Sequence, residues 1–100
     1  MEKRKPHYDL EAIKAAVVRD GVASFTATAR SGFKAMELTA LQALAVVSTL
    51  SAAMFCKSMT THADHAVWQD VYHAHCPNGK TAYVKLTLQS GRLVIQFKEV

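Results

Sequence analysis

Two short polar breaks near the carboxyl end bring a phenol and an ammonium group face to face. Ser90-Gly91 separates two alternating runs, so a hairpin closed there sets Gln89 opposite Arg92 and, counting back, Tyr83 opposite Lys98. A phenol can pass a proton and a lysine can meet an anion, so this pair on one solvent-facing side is a first hint of chemistry. Lys85 falls opposite Gln96 on the same side. The other side carries Leu88 with Leu93, Leu86 with Ile95 and Val84 with Phe97, and these six apolar side chains must face a core. Pro77-Asn78-Gly79 reads as a three-residue loop, with proline at the second position of a type I turn and glycine in the left-handed one. Such a loop sets Cys76 opposite Lys80, His73 opposite Tyr83, Val71 opposite Lys85 and Gln69 opposite Thr87. Gln69 then shares a side with Tyr83 and Lys98. A loop of Asn78-Gly79 alone would flip the parity and turn Gln69 inward; the proline favours the longer loop.

Plainer readings stand beside these. A lysine on a strand is usually a solvated edge charge, which would account for Lys57, Lys85 and Lys98. Tyr83 beside Lys98 is then an ordinary cross-strand pair contributing under about 1 kcal/mol. Trp68 and Tyr72 fall on the side away from Gln69 and read as core. Asp70 points inward with them and needs a partner, either a backbone donor or His65. His62, His65, His73, His75 and Cys76 are residue types that zinc uses, but they match no standard ligand spacing and no CxxC occurs, so no metal site is expected. His73 is more commonly just exposed; its place opposite Tyr83 also makes it a candidate to assist there.

The elements that must position these groups divide near Phe55. Before it the apolar spacing is helical. Asp9 can cap a helix carrying Leu10, Ile13, Ala16 and Val17, and Gly21 suits its end. Val22 to Thr26 is a weak strand candidate. Ala27 to Met36 is a second helix with Ala29, Phe33 and Met36 on one side, weakened by Gly32. Thr39 with Gln42 forms a capping-box pattern for a third helix, predicted to show Leu41, Leu44, Ala45 and Ser48 on one face. After Phe55 the period becomes two: strands over Cys56–Thr61, Val67–His75, Thr81–Gln89 and Arg92–Val100, with tight turns between them. This order predicts an α+β fold, N-terminal helices packed on a C-terminal antiparallel β-sheet.

A chain of 100 residues has room for one core, so a single domain over 1–100 is expected. The net charge of +4 favours a polyanionic partner, although nucleic acid, a membrane surface and an acidic protein all satisfy it. Leu38 to Phe55 is uncharged, but a bilayer span needs about 20 predominantly apolar residues. This stretch contains Thr39, Gln42, Ser48, Thr49 and Ser51 among alanines and reads as a buried helix. Two cysteines, Cys56 and Cys76, make no disulfide scaffold, and no apolar run of signal-peptide length follows Met1 to Pro6. A cytoplasmic protein with reduced thiols and no membrane association is expected. Lys3 to Lys5 reads as a solvated tail that could gather phosphates.

Several runs, in order, resemble the MqsR family of toxins. Lys57-Ser58-Met59-Thr60-Thr61, Asp64-His65 and Trp68-Gln69-Asp70-Val71-Tyr72 are similar to its central signature. Met1-Glu2-Lys3-Arg4 with Pro6-His7, Tyr83 ahead of Val84-Lys85, and Phe97-Lys98-Glu99 resemble it too. The likeness covers the termini and nearly all of the strand half, and is thinner through the alanine-rich stretch 23–53; Cys56 and His62 stand where tyrosine is expected. The resemblance implies a RelE-like toxin fold and a metal-independent, cofactor-free endoribonuclease that cuts mRNA by attack of the 2′-hydroxyl on the adjacent phosphate. It implies a cognate, MqsA-like antitoxin that carries zinc and a DNA-binding domain, so that DNA is met only through that partner. The family's catalytic positions fall on Lys57, Gln69, Tyr83 and Lys98, with Lys85 and His73 as RNA-binding candidates beside them. The competing reading is a non-catalytic small basic regulator that binds nucleic acid or protein; a zinc-dependent hydrolase is a third. Binding should decay gradually as these side chains are removed one by one, whereas catalysis should collapse at one.

Overall fold

The computed structural model describes residues 1–100. In chain order the elements are β1 (Glu2–Lys3), α1 (Leu10–Asp20), α2 (Ala27–Ala35), α3 (Ala40–Ser48), β2 (Phe55–Thr60), β3 (Trp68–His75), β4 (Thr81–Gln89) and β5 (Arg92–Glu99), with single 3-10 turns at Gly21–Ser24 and Ala52–Met54. The five strands form one antiparallel sheet in the order β1-β2-β3-β4-β5. The α+β arrangement read from the change of period is the one observed.

Both hairpin registers are as the turn chemistry requires. Ser90 and Gly91 adopt φ of 51° and 76°, the left-handed pair of a type I′ turn, and Gln89 pairs with Arg92. Across the Pro77-Asn78-Gly79 loop the Cys76 amide donates to the Lys80 carbonyl, and His73 pairs with Tyr83. Alternation then sends Tyr72, Ala74, Val84, Leu86, Leu93, Ile95 and Phe97 to one side of the sheet, where all are buried. Leu88 at the hairpin end is only partly covered.

The helices close over that side. Ile13, Ala16 and Val17 of α1 and Ala29 and Phe33 of α2 are buried as their spacing predicts. The rings of Phe25, Phe33 and Phe97 meet edge to face, with centroids 5.4–6.3 Å apart. Val22–Ser24 is a 3-10 turn rather than a strand; only Phe25 bridges to β5, at Ile95, and the Thr26 amide donates to the Ile95 carbonyl. Thr39 and Gln42 form the capping box of α3 through both reciprocal hydrogen bonds, at 3.1 and 2.9 Å. The face of α3 differs from the expected one: Ala43, Val46 and Val47 are buried, while Leu41 is 79% exposed. Apolar residues surround this helix, so its own pattern could not choose a face, and packing chose it. Asp9 holds the N-cap position of α1 without a side-chain capping bond.

α2 lies against the free edge of β5. A Cβ at position 32 would run into the carbonyl oxygen of Phe97, so glycine is what lets helix and strand touch. The other edge is closed by β1, which pairs Glu2 with Met59 and Lys3 with Ser58. Of the segment Lys3 to Lys5 read as a solvated tail, Lys3 belongs to this short strand, while Arg4 and Lys5 form an exposed bend. The amino-terminal segment is tethered by Asp70, which is fully buried. Its carboxylate accepts from the His7 amide at 3.0 Å, from the Tyr8 amide at 2.9 Å and from the Ser58 hydroxyl at 2.6 Å. The backbone-donor expectation for Asp70 holds, through residues 63 and 62 positions away, and His65 takes no part. Burial, with Asp70 adding to it, pushes the Tyr72 phenol up to about 12, which keeps that inward-facing ring neutral. Trp68 sits at the rim instead of in the core, stacked on His7 at 5.3 Å with the Lys3 ammonium 4.2 Å from its ring centre.

Two stability measurements follow. Removing the Asp70 carboxylate leaves the buried Ser58 hydroxyl and the part-buried His7 and Tyr8 amides without their acceptor, so Asp70→Ala should lose about 2–4 kcal/mol in denaturant unfolding; a loss under about 0.5 kcal/mol would dismiss the tether. Gly32→Ala should lose about 1–3 kcal/mol to overpacking, although alanine is the better helix former by about 1 kcal/mol. A gain in stability there would show that α2 does not rest on β5.

Candidate functional site

The side of the sheet away from the helices gathers the polar groups in three rows. His73, Tyr83 and Lys98 form one row across β3, β4 and β5. Lys57, Val71, Lys85 and Gln96 form the next, across β2 to β5. Met59 pairs with Gln69 in the third, and the same register carried on by one pair sets Gln69 level with Thr87. Lys57, Gln69, Tyr83 and Lys98 thus share this side, as do Lys85 and His73. Their closeness is uneven. Tyr83 and Lys98 are direct neighbours, whereas Gln69 lies four residues along β3 from His73, about 13 Å at roughly 3.3 Å per residue, and nearer Lys57.

Lys57 shares this side with Met59 by regular alternation, and an irregularity lies just before it. Phe55 pairs with Tyr72 but Lys57 pairs with Val71, so the register shifts by one residue at Cys56. Without that bulge, two residues apart on a strand would share a side. With it, Phe55 turns inward, its ring edge-to-face with Tyr72 at 5.5 Å, while Lys57 turns outward. Val71 between Lys57 and Lys85 is fully buried yet stands apart from the main core, so neighbouring side chains close over the middle of this face.

The charges on the face are set by their neighbours. The Lys57 ammonium donates to the Glu2 carboxylate at 3.1 Å. That bond and its charge raise the Lys57 pKa, with a smaller contribution from the Tyr83 phenol. Lys85 moves the other way: burial lowers its pKa and the positive charge of Lys98 adds to the effect. The Lys98 ammonium stands 5.2 Å from the centre of the Tyr83 ring, and the His73 ring 5.6 Å from it on a tilt of 46°.

Beside Tyr83 and Lys98 lies a cleft of about 190 Å³, lined by Tyr83, Lys85, Gln96, Lys98 and, from α2, Thr28 and Ala29. Sequence reasoning put Gln96 on the right side without a role and missed Thr28 and Glu2. The sequence carried one signal for Thr28: Gly32, a glycine inside a helix, marks the close approach to β5 that brings the start of α2 to this cleft. Nothing local signals Glu2, whose pairing partner is 57 residues away. No three His, Cys, Asp and Glu side chains converge in a way that could hold a metal ion.

A three-helix, five-stranded protein whose outer sheet face carries lysines, a tyrosine and a glutamine about a small cleft is an α+β protein with a cationic sheet face. The chain belongs to the family described as motility quorum-sensing regulator, toxin of MqsA, whose model matches residues 5–99. It is 37% identical over 99 residues to the mRNA interferase toxin MqsR of Escherichia coli (strain K12), an alignment spanning 99% of each chain. No helix is long and apolar enough to cross a membrane.

The Lys57–Glu2 pair has a direct check. In Glu2→Gln the Lys57 pKa should fall toward the ordinary lysine value, followed by NMR of the side-chain ammonium signals through alkaline pH. An unchanged Lys57 titration would remove Glu2 from the site.

Proposed function

We propose that this chain is the toxin of a type II toxin–antitoxin pair: a RelE-like, metal-independent, sequence-selective endoribonuclease that cuts mRNA in the cytoplasm and is neutralised by a cognate, MqsA-like antitoxin. DNA would be met only through that antitoxin. Membership of the toxin family and the name of the Escherichia coli relative support the activity. The observation that carries the mechanism is the cross-strand pair of Tyr83 and Lys98 on the same sheet side as Lys57 and Gln69.

RNA supplies its own nucleophile. The ribose 2′-hydroxyl gives up its proton and its oxygen bonds to phosphorus; the bond from phosphorus to the 5′-oxygen breaks, and that oxygen takes a proton. The products are a 2′,3′-cyclic phosphate and a free 5′-hydroxyl. The crowded phosphorane gathers negative charge on its outer oxygens, where fixed cations lower the barrier. Lys57 and Lys98 serve there. Glu2 raises the Lys57 pKa, which suits Lys57 to stabilising charge as a fixed cation. Tyr83 relays a proton, Gln69 holds ribose or phosphate, and Lys85 and His73 engage the flanking RNA.

The test is cleavage of a defined RNA by purified protein freed of antitoxin, in EDTA, with mapped ends. Wild type should cut at a few recurring sites and leave 2′,3′-cyclic ends. Lys57→Ala, folded by circular dichroism, should lose about 10²–10⁴-fold. Full activity in that variant would remove Lys57 from the mechanism. No cutting with or without added ribosomes would sink the nuclease and leave a binding protein.

A further inference from the structure

We infer that the cleft between the start of α2 and the outer face of β4 and β5 is a nucleobase-reading subsite, in which Thr28 and Gln96 select the base beside the scissile phosphate. The inference rests on the ribonuclease reading and adds to it the residues that set sequence preference.

The cleft holds about 190 Å³, below the roughly 300–1,000 Å³ of pockets that take drug-sized ligands. One flat heterocycle suits it better than a whole nucleotide. Its lining divides by chemistry. Lys85 on β4 and Lys98 on β5 supply cations diagonally across the strand pair, and Tyr83 supplies an aromatic ring. Thr28 and Gln96 are uncharged, exposed, and engaged in none of the protein's own side-chain hydrogen bonds. The Gln96 amide offers two donors and an acceptor and the Thr28 hydroxyl one donor with acceptor capacity, which is what discrimination along a base edge requires. Single-stranded RNA is read in this way, with the base splayed from its neighbours, set against an aromatic side chain and bonded along its edge. Lysines alone would grip phosphate and read nothing.

The two readers come from different elements and are held at a defined separation. Gln96 sits on β5, level with Lys85. Thr28 lies in the first turn of α2, and that helix cannot drift from β5 because Gly32 lets it rest on the Phe97 carbonyl while the Thr26 amide bonds the Ile95 carbonyl. A base in this cleft lies against Tyr83 and Lys98, so the phosphate attached to its ribose falls at the proposed catalytic pair.

The experiment compares wild type with Gln96→Leu and Thr28→Val, each close in size and stripped of hydrogen-bonding atoms, on a mixed-sequence RNA with every cut mapped by sequencing. The readout is the ratio of cutting between sites that differ at one position, which an overall change in rate does not move. At least one variant should flatten the preference at a single position flanking the cut by about tenfold, the low end of what one bidentate base contact discriminates. Cutting by both variants with the wild-type site preferences would overturn the subsite while leaving the ribonuclease intact. A uniform fall at all sites would overturn it too, since that marks grip without reading. Absence of cutting by wild type would overturn the ribonuclease reading and this inference together.

Discussion

The carboxylate of Asp70 ties three parts of the chain to one buried point. A carboxyl group with no exposed surface is costly unless each lone pair meets a donor, and here the donors are the amides of His7 and Tyr8 and the hydroxyl of Ser58. Two of these belong to the amino-terminal segment, which is drawn across the sheet and held. Once it is held, Glu2 and Lys3 add a strand to β2 and Tyr8 bonds the Trp68 carbonyl at 2.7 Å. Glu2 then arrives at Lys57. A residue that faces inward thus decides a charge that faces outward.

The sheet has two edges, and each is covered in a way that serves the proposed site. β1 covers one with two charged residues, a short and charged edge of the kind that discourages strand pairing with another chain. α2 covers the other by resting directly on β5, which only a residue without a side chain at position 32 permits. The same contact raises a wall beside Tyr83 and Lys98, turning a flat strand pair into a cleft. Functional groups mounted on paired strands are held more closely than groups on loops, which is what positioning chemistry demands.

Crowding lysines on one face has an electrostatic consequence. Lys98 and burial together make the Lys85 charge harder to keep, while Glu2 makes the Lys57 charge easier to keep. The face therefore holds lysines of two kinds, one firmly cationic and one readier to release a proton. A polyanion arriving there relieves the repulsion between Lys85 and Lys98.

The amino-acid sequence by itself determined the register of both hairpins, the sheet side carrying Tyr83, Lys98, Lys85, His73 and Gln69, and the core side opposite. These are local consequences: Ser90-Gly91 and Pro77-Asn78-Gly79 dictate their loops, and a period of two carries the parity along each strand. Resemblance added Lys57, which regular pairing with Val71 turns outward, while the bulge at Cys56 that turns Phe55 inward is one that alternation cannot show. Only the tertiary structure decided which face of α3 is buried, that Trp68 lies at the rim with His7 and Lys3, that Glu2 pairs with Lys57, and that Thr28 walls the cleft. Each of these depends on contacts between distant segments. Their energies come from packing and from satisfying buried polar groups such as Asp70, and neither leaves a period in the chain.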